Sequence, residues 1–521
     1  METRTRHALG LEHSVNPSRA ENSGAAVWSY AEQSAPGAAS TVSSIPTLAR
    51  DNPQPATLYD LAVVGAGVAG TAAALSAAER GAKVALVERA ASGGAARSRA
   101  LCTGLLEAAG HVHALRARLA GVEGSLDFST LMARLRERPA QIAPDALSCL
   151  HHPRIDVFAG PARFLNEDTL SVSGLRLKFE RALIATGSQS AFPGIEGLHE
   201  AGYLTRDSLP SLTHLPARLV VIGGGRTGSE LAQAFTRLGS QVTLIEVKDR
   251  LLPSEDAGAA EVVAAAFAEE GVRVLTGTEV VRVTELPTGE RRVFYERGLT
   301  SAHADCDEVL VALGHAPVLD ELGLEAAGVE FDRDGIRVDD FLRTSNRRVL
   351  AAGDVCRRPR LGLVSAAHGR IAAHNALSWP RRRAAGLVVP RFIRTDPQIV
   401  TASAGAQDIG RERLTRLSVA LGSTGLPTSR EAAGEFVQVD VRGRAGAIAR
   451  VLLVTRRADE LFAPFEVALN TGLTLRAIAR SGSGNPGTLL GQIAEQFVRR
   501  SRSPGFRDWI ARHLLWSRAR A

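Results

Sequence analysis

Gly65-Ala66-Gly67-Val68-Ala69-Gly70 follows the apolar run Leu61-Ala62-Val63-Val64, and 18 residues after its last glycine stands Glu88, at the end of Lys83-Val84-Ala85-Leu86-Val87. The same arrangement returns later. Gly223-Gly224-Gly225-Arg226-Thr227-Gly228 follows Leu219-Val220-Val221-Ile222, and 18 residues beyond Gly228 is Glu246, closing Gln241-Val242-Thr243-Leu244-Ile245. A lone GxGxxG carries little weight, but each copy here has a strand before it, a helix after it and an acid at the end of the next strand. In such a unit the first glycine permits the tight turn, the second lets a pyrophosphate approach the backbone, and the third lets helix pack on strand. The helix N-terminus then presents free N–H groups and the positive end of its dipole to phosphate oxygens. Gly81 and Gly239 fall where a C′ glycine ends each helix. Two dinucleotide sites are therefore expected. The acid accepts both hydroxyls of an unphosphorylated ribose and repels a 2′-phosphate, so Glu246 favours NAD(H) over NADP(H) at the second site.

Composition sets broader bounds. With 521 residues, 45% of them hydrophobic, and 50 glycines, the chain is long enough for two to four domains of loop-rich α/β type. No apolar run reaches the length of a membrane span. Cys102, Cys149, Cys306 and Cys356 are scattered without CxxC or CxxxxC spacing, which argues against a disulfide framework or a thiolate metal site and makes a reducing cytoplasm the default. His151-His152 and His111/His113 do not share a helical face, so no metal site is expected from them. A net charge of +7 is mild at this length and does not by itself imply nucleic acid. Residues 1–56 are rich in Ala, Ser, Pro and Asn without periodicity and read as a disordered extension, with neither the h-region of a secretory signal nor the acid-poor character of a transit peptide. A start codon assigned too far upstream explains that stretch equally well.

Further segments, in order, resemble the class I pyridine nucleotide-disulfide oxidoreductases, the family of dihydrolipoyl dehydrogenase, glutathione reductase and mercuric reductase. Ala182-Leu183-Ile184-Ala185-Thr186-Gly187-Ser188 is similar to the exit from that family's flavin domain. Leu310-Val311-Ala312-Leu313-Gly314-His315-Ala316-Pro317 resembles its loop beside the nicotinamide, with histidine where arginine is usual. Arg343-Thr344-Ser345 and Val349-Leu350-Ala351-Ala352-Gly353-Asp354-Val355 resemble its returning flavin motif. Phe392-Ile393-Arg394-Thr395-Asp396-Pro397 resembles the entry to its C-terminal domain. The resemblance implies an α/β fold with two Rossmann-like dinucleotide-binding domains, for FAD and NAD, and a C-terminal α+β interface domain. The expected division is 57–205 and 331–388 for FAD, 206–330 for NAD, 389–497 for the interface and 498–521 for a basic tail.

By the same resemblance Gly65, Gly67, Gly70, Glu88, Thr186, Gly187, Gly353, Asp354 and Gly362 serve FAD, with Asp354 accepting hydrogen bonds from the ribityl chain. Gly223, Gly225, Arg226, Gly228, Glu246 and Gly314 serve NAD(H), Arg226 gating the nicotinamide pocket unless it is a solvated first-turn arginine. Glu230 matches a glutamate near the nicotinamide and the flavin N5, although the lysine it normally pairs with has no counterpart. A homodimer is implied as well.

Two departures bear on chemistry. Where the family has CxxxxC beside the flavin, this chain reads Ala95-Ala96-Arg97-Ser98-Arg99-Ala100-Leu101-Cys102-Thr103-Gly104, and Cys102 falls within one residue of the second cysteine. One residue rotates a helical side chain by about 100°, so two readings stand: a flavin-facing catalytic thiol or a buried inert one. Where the family has a His-Pro-Thr turn with a glutamate beyond, this chain reads Ser483-Gly484-Asn485-Pro486-Gly487-Thr488, and Asn485 cannot shuttle a proton near neutral pH.

The expectation is an FAD-dependent NADH oxidoreductase that passes electrons from flavin to an acceptor without a disulfide relay. Quinones, oxygen, metal ions, electrophiles or a second nicotinamide nucleotide all remain open as acceptors. A soluble transhydrogenase and a degenerate flavoprotein with a redox-sensing role are the alternatives. Seven arginines against one acid in residues 498–521, with apolar residues at helical spacing from Phe506, suit either a helix on an anionic membrane surface or one packed on the dimer.

Overall fold

The computed structural model describes residues 58–89, 94–118, 126–137, 151–357, 362–384, 387–404, 414–421, 434–481 and 488–501. The amino-terminal extension, Asn485 and all but the first residues of the basic tail lie outside them. Three large sheets organise the described residues, with three smaller ones beside them. The first orders β3 (Ile155–Ala159), β2 (Val84–Glu88), β1 (Leu58–Val64), β6 (Leu175–Ile184), β5 (Thr169–Val172) and β4 (Ala162–Phe164). β1, β2 and β3 run parallel with the ten-residue β6, whereas β5 and β4 are antiparallel. The second half of β6 also takes β19 (Val349–Ala351) as a parallel partner, Ala182 opposite Val349 and Ile184 opposite Ala351. The chain thus leaves this sheet, builds another, and returns to it. Leu61 to Val64 are almost wholly buried, as a parallel strand covered on both faces requires of an unbroken apolar run.

The second sheet orders β11 (Arg273–Thr276), β10 (Gln241–Glu246), β9 (Arg218–Ile222), β15 (Glu308–Val311) and β8 (Leu204–Thr205), all parallel. An antiparallel trio, β12 (Glu279–Glu285), β13 (Arg291–Arg297) and β14 (Thr300–Cys306), packs its apolar face on it through Val283, Val293 and Cys306. The third sheet is antiparallel: β20 (Arg391–Ile393), β21 (Gln398–Ser403), β24 (Ala447–Thr455), β23 (Phe436–Arg442), β22 (Thr415–Ala420). Three helices, Ala458–Thr471, Leu475–Arg480 and Leu489–Ser501, supply Phe462, Phe465, Ile478 and Ile493 to its core. The expected three-part α/β fold class is the observed one.

Helix α1 (Val68–Ala78) packs on the first sheet, α2 (Gly94–Arg118) follows β2 in the chain, and α3 (Arg226–Leu238) packs on the second sheet. Leu231 and Phe235 of α3 share one core with Leu101, Cys102 and Leu105 of α2 and with Ile393, Ile399 and Leu452 of the third sheet. Polar contacts reinforce this junction. Arg237, 9% exposed, donates from Nε and Nη2 to Glu270 at 2.8 and 2.6 Å and from Nη2 to Asp396 at 2.9 Å. Gln233 donates to Glu270 and to the Asp396 carbonyl, and Arg116 of α2 donates to the Arg237 carbonyl. Helix α4 (Gly362–Leu377) lies on α1 so closely that a Cβ at Gly369 would be 2.0 Å from the Ala69 carbonyl oxygen.

Removing the guanidinium from the first junction strands the Glu270 carboxylate, whose side chain is 11% exposed. Arg237→Met is expected to destabilise the protein by about 3 kcal/mol, the cost of an uncompensated buried charge. Differential scanning calorimetry of the holoprotein checks it, with Arg383→Met as the control because Arg383 pairs with Asp340 at an exposed position.

Candidate functional site

Each glycine loop forms the same turn. Gly65 has φ +105° and Gly223 φ +106°, a conformation that disfavours any side chain. A Cβ at Gly65 would lie 2.4 Å from the Ala185 carbonyl oxygen, and one at Gly223 2.7 Å from that of Ala312. Gly70 and Gly228 repeat the constraint more tightly: a Cβ at either would fall 1.8 Å from the carbonyl oxygen of Gly65 or Gly223. The middle glycines differ in kind. At Gly67 and Gly225 a Cβ would meet no atom within 4 Å, and both are N-caps with extended backbone, φ −72° and −74°. The open side of each turn therefore lies over a helix N-terminus, where phosphate is stabilised.

The acids close the turns from the far side. Glu88 Oε2 accepts the Ala66 amide at 2.6 Å. Glu246, 6% exposed, accepts the Gly224 amide through Oε2 at 2.7 Å and the Lys248 amide through Oε1 at 2.8 Å. Each carboxylate oxygen keeps a second lone pair, so both acids fit a ribose hydroxyl while remaining anchored.

At the ends of β6 and β19, beside the first turn, lie the residues of the flavin motifs. Thr186 Oγ1 donates to the Val318 carbonyl at 2.8 Å, and Gly187 accepts from the Val318 amide with φ +73°. Gly353 takes φ +83°, and a Cβ there would sit 3.1 Å from that of Ala69 on α1. Gly362 begins α4, and Gly314, φ +108°, opens outward with its carbonyl accepting the Ala191 amide. Asp354 Oδ2 faces Arg99 at 3.4 Å, while its Oδ1 is buried without a hydrogen-bond partner. A carboxylate oxygen so placed fits a hydroxyl donor from a bound flavin's ribityl chain. Open glycine turns, anchored acids and this acceptor all suit the two dinucleotides.

Cys102 is buried, and its side chain packs with Leu101, Leu105 and Leu231 in the α2–α3 core. Desolvation pushes its thiol up to about 12, against the pull of Arg206. Glu230, half-buried on α3, accepts the Arg394 amide at 2.9 Å, and desolvation raises its carboxyl above the usual carboxylate range despite Arg226, Arg394 and Arg206. Arg226 itself is exposed at the first turn of α3. His315 lies opposite Ser190 in a short antiparallel pair, and burial with Arg206 nearby lowers its imidazole to about 4. It is neutral at physiological pH.

Sequence reasoning did not single out Arg99, Arg206 or Asp207. Arg206 and Asp207 fall in a connection without motif spacing, and Arg99 stands in a stretch whose one motif signal is the departure from CxxxxC. The structure joins them: Ser98 Oγ donates to the Asp207 carbonyl at 3.4 Å, and Asp207 Oδ2 accepts the Ser190 amide and hydroxyl at 3.0 and 2.8 Å.

Two glycine turns in matching geometry, with an unsatisfied carboxylate oxygen on Asp354, define a flavin- and nicotinamide-dependent oxidoreductase. The chain belongs to the pyridine nucleotide-disulphide oxidoreductases, whose family model matches residues 59–370. It is 31% identical over 435 residues to mercuric reductase of Lysinibacillus sphaericus, covering 81% of this chain and 79% of that one. It is 34% identical over 354 residues to dihydrolipoyl dehydrogenase of Bacillus subtilis (strain 168), covering 65% and 76%. Among solved structures, the HOCl-induced flavoprotein disulfide reductase RclA from Escherichia coli shares the fold at a TM-score of 0.73 and 24% identity, over 84% of this chain and 99% of that one. No helix among the described residues is long and apolar enough to cross a membrane.

A thiol pushed up to about 12 is protonated at neutral pH, and only the thiolate reacts with alkylating agents. Cys102 in the native protein is expected to resist iodoacetamide at pH 7.5 and to react fully in guanidinium chloride, as peptide mass spectrometry would report.

Proposed function

We propose that this protein is an FAD-dependent NADH oxidoreductase that hands electrons directly from flavin to a small acceptor, with no dithiol relay. Bound FAD would supply the hydride-accepting, two-electron chemistry that links NADH to the acceptor. The observation that carries the reading is Cys102: the described thiol at the expected place packs in the α2–α3 core as a protonated group, while both nucleotide turns keep their full geometry. Hydride transfer needs stacking and orientation, which the turns supply, and does not need a thiolate.

In this reading Gly65, Gly67, Gly70 and Glu88 hold the ADP half of FAD, with Asp354 Oδ1 taking a ribityl hydroxyl. Gly223, Gly225, Gly228 and Glu246 hold NADH. Glu230 lies beside the nicotinamide, fixed by the Arg394 amide so that its carboxyl orients the ring instead of diffusing with solvent. Arg226 guards the entry to the pocket. His315, neutral at physiological pH, adds no charge beside the nicotinamide, whose oxidised ring is cationic. Residues 57–205 and 331–388 then form the flavin domain, 206–330 the NADH domain and 389–497 the interface of a homodimer.

Anaerobic stopped-flow reduction of the holoprotein tests this. NADH is expected to bleach the flavin rapidly in the wild type and equally in Cys102→Ser. Absence of bleaching by NADH and NADPH alike would refute the enzyme reading, and loss of bleaching in Cys102→Ser alone would restore a role for the thiol. Glu246→Ala removes the ribose acceptor and the charge that repels a 2′-phosphate. It is expected to raise the Kd for NADH roughly ten-fold, a lost charge-assisted hydrogen bond, and to narrow the preference over NADPH, measured by the same bleaching at varied nucleotide.

A further inference from the structure

Four arginines from separate elements surround Cys102 and Glu230: Arg99 from α2 and Arg206 from the segment after β8 lie beside Cys102, while Arg206, Arg226 from the first turn of α3 and Arg394 from the segment after β20 lie beside Glu230. Their carboxylate neighbours are three. Asp354 faces Arg99, Asp207 faces Arg206, and Glu230 has a carboxyl raised towards its neutral form. The cluster therefore carries excess positive charge in a desolvated place. Arg226 and Arg394 are exposed at its edge.

Arg206 is the member that the protein leaves least satisfied. It is 7% exposed, its ion pair to Asp207 is long at 3.4 Å, and its Nε is buried with no hydrogen-bond partner. Asp207 cannot come closer to it without cost, because its other oxygen is already held by the Ser190 amide and hydroxyl. A buried guanidinium with an unused donor is costly unless an acceptor meets it. Arg99 stands beside it: burial and the neighbouring Arg206 and Arg226 charges lower its basicity, and its side chain is 35% exposed, so it can reach a ligand. A planar fork on each of two arginines suits a carboxylate, sulfonate or phosphate.

We propose that Arg99 and Arg206 form the binding site for an anionic electron acceptor, which places its negative group between them and its reducible part toward the flavin. This rests on the direct-transfer reading above and names its substrate class. For a sulfonated quinone the turnover is balanced: NADH gives a hydride, solvent gives one proton, the quinone becomes the hydroquinone, and NAD+ leaves.

Two measurements on the holoenzyme test it separately. In the first, naphthalene-2-sulfonate, which accepts no electrons, is titrated against flavin absorbance at low salt. Wild type is expected to bind it at least about ten-fold more tightly than Arg206→Gln or Arg99→Gln, with Arg206→Lys between them. Equal binding by wild type and these variants overturns the anion site whether or not NADH reduces the flavin. In the second, kcat/KM with NADH is compared for 1,4-naphthoquinone-2-sulfonate and neutral 1,4-naphthoquinone. A ratio of about ten or more that falls toward one in Arg206→Gln, and in wild type at high salt, supports the proposal. A ratio of one in the wild type overturns it, while flavin bleaching by NADH reports independently on the reading beneath.

Discussion

Gly70 and Gly228 set the constraint on which the structure depends. Each lies where a single added carbon would overlap the carbonyl oxygen of the first glycine in its loop. With that contact permitted, helix and strand meet at van der Waals distance, the helix N-terminus points across the turn, and the middle glycine is left facing open space. The acid at the next strand's end then bonds back to the loop amide, Glu88 to Ala66 and Glu246 to Gly224. These bonds fix the turn before any nucleotide arrives, so binding need not supply the ordering.

From the second turn the constraint runs through α3. Its first residue is the exposed Arg226, its second turn carries Glu230, its apolar face shares the core of α2 and the third sheet, and its last turn carries Arg237 into Glu270 and Asp396. One helix thus ties the second glycine turn to the helix that bears Arg99 and Cys102 and to the third sheet.

Burial decides the chemistry available at this junction. A thiol in the α2–α3 core is a poor nucleophile, desolvation raises the Glu230 carboxyl above the usual carboxylate range, and a neutral imidazole at His315 neither attracts nor repels charge. Charge is instead concentrated in guanidinium groups, which stay ionised when buried. The environment is suited to holding and orienting ligands more than to shuttling thiol protons.

The nucleotide turns, the acids and the returning flavin motif were legible in the sequence because local backbone geometry dictates them: a turn needing positive φ at Gly65 and Gly223 and contact at Gly70 and Gly228 admits no other residue. The fold class followed, since parallel strands buried on both faces must read as apolar runs such as Leu61-Ala62-Val63-Val64. The direction of the Cys102 side chain was not legible, because one residue of helical register separates the flavin side from the core. Nor was the arginine cluster, for Arg99 and Arg206 are 107 residues apart and neither lies in a periodic pattern that spacing could reveal. The sequence by itself determined the two glycine turns and the acids that anchor them, through constraints local to a few residues. Only the tertiary structure decided which side chains share the desolvated space between them, because desolvation and Coulomb energy depend on distances that packing alone sets.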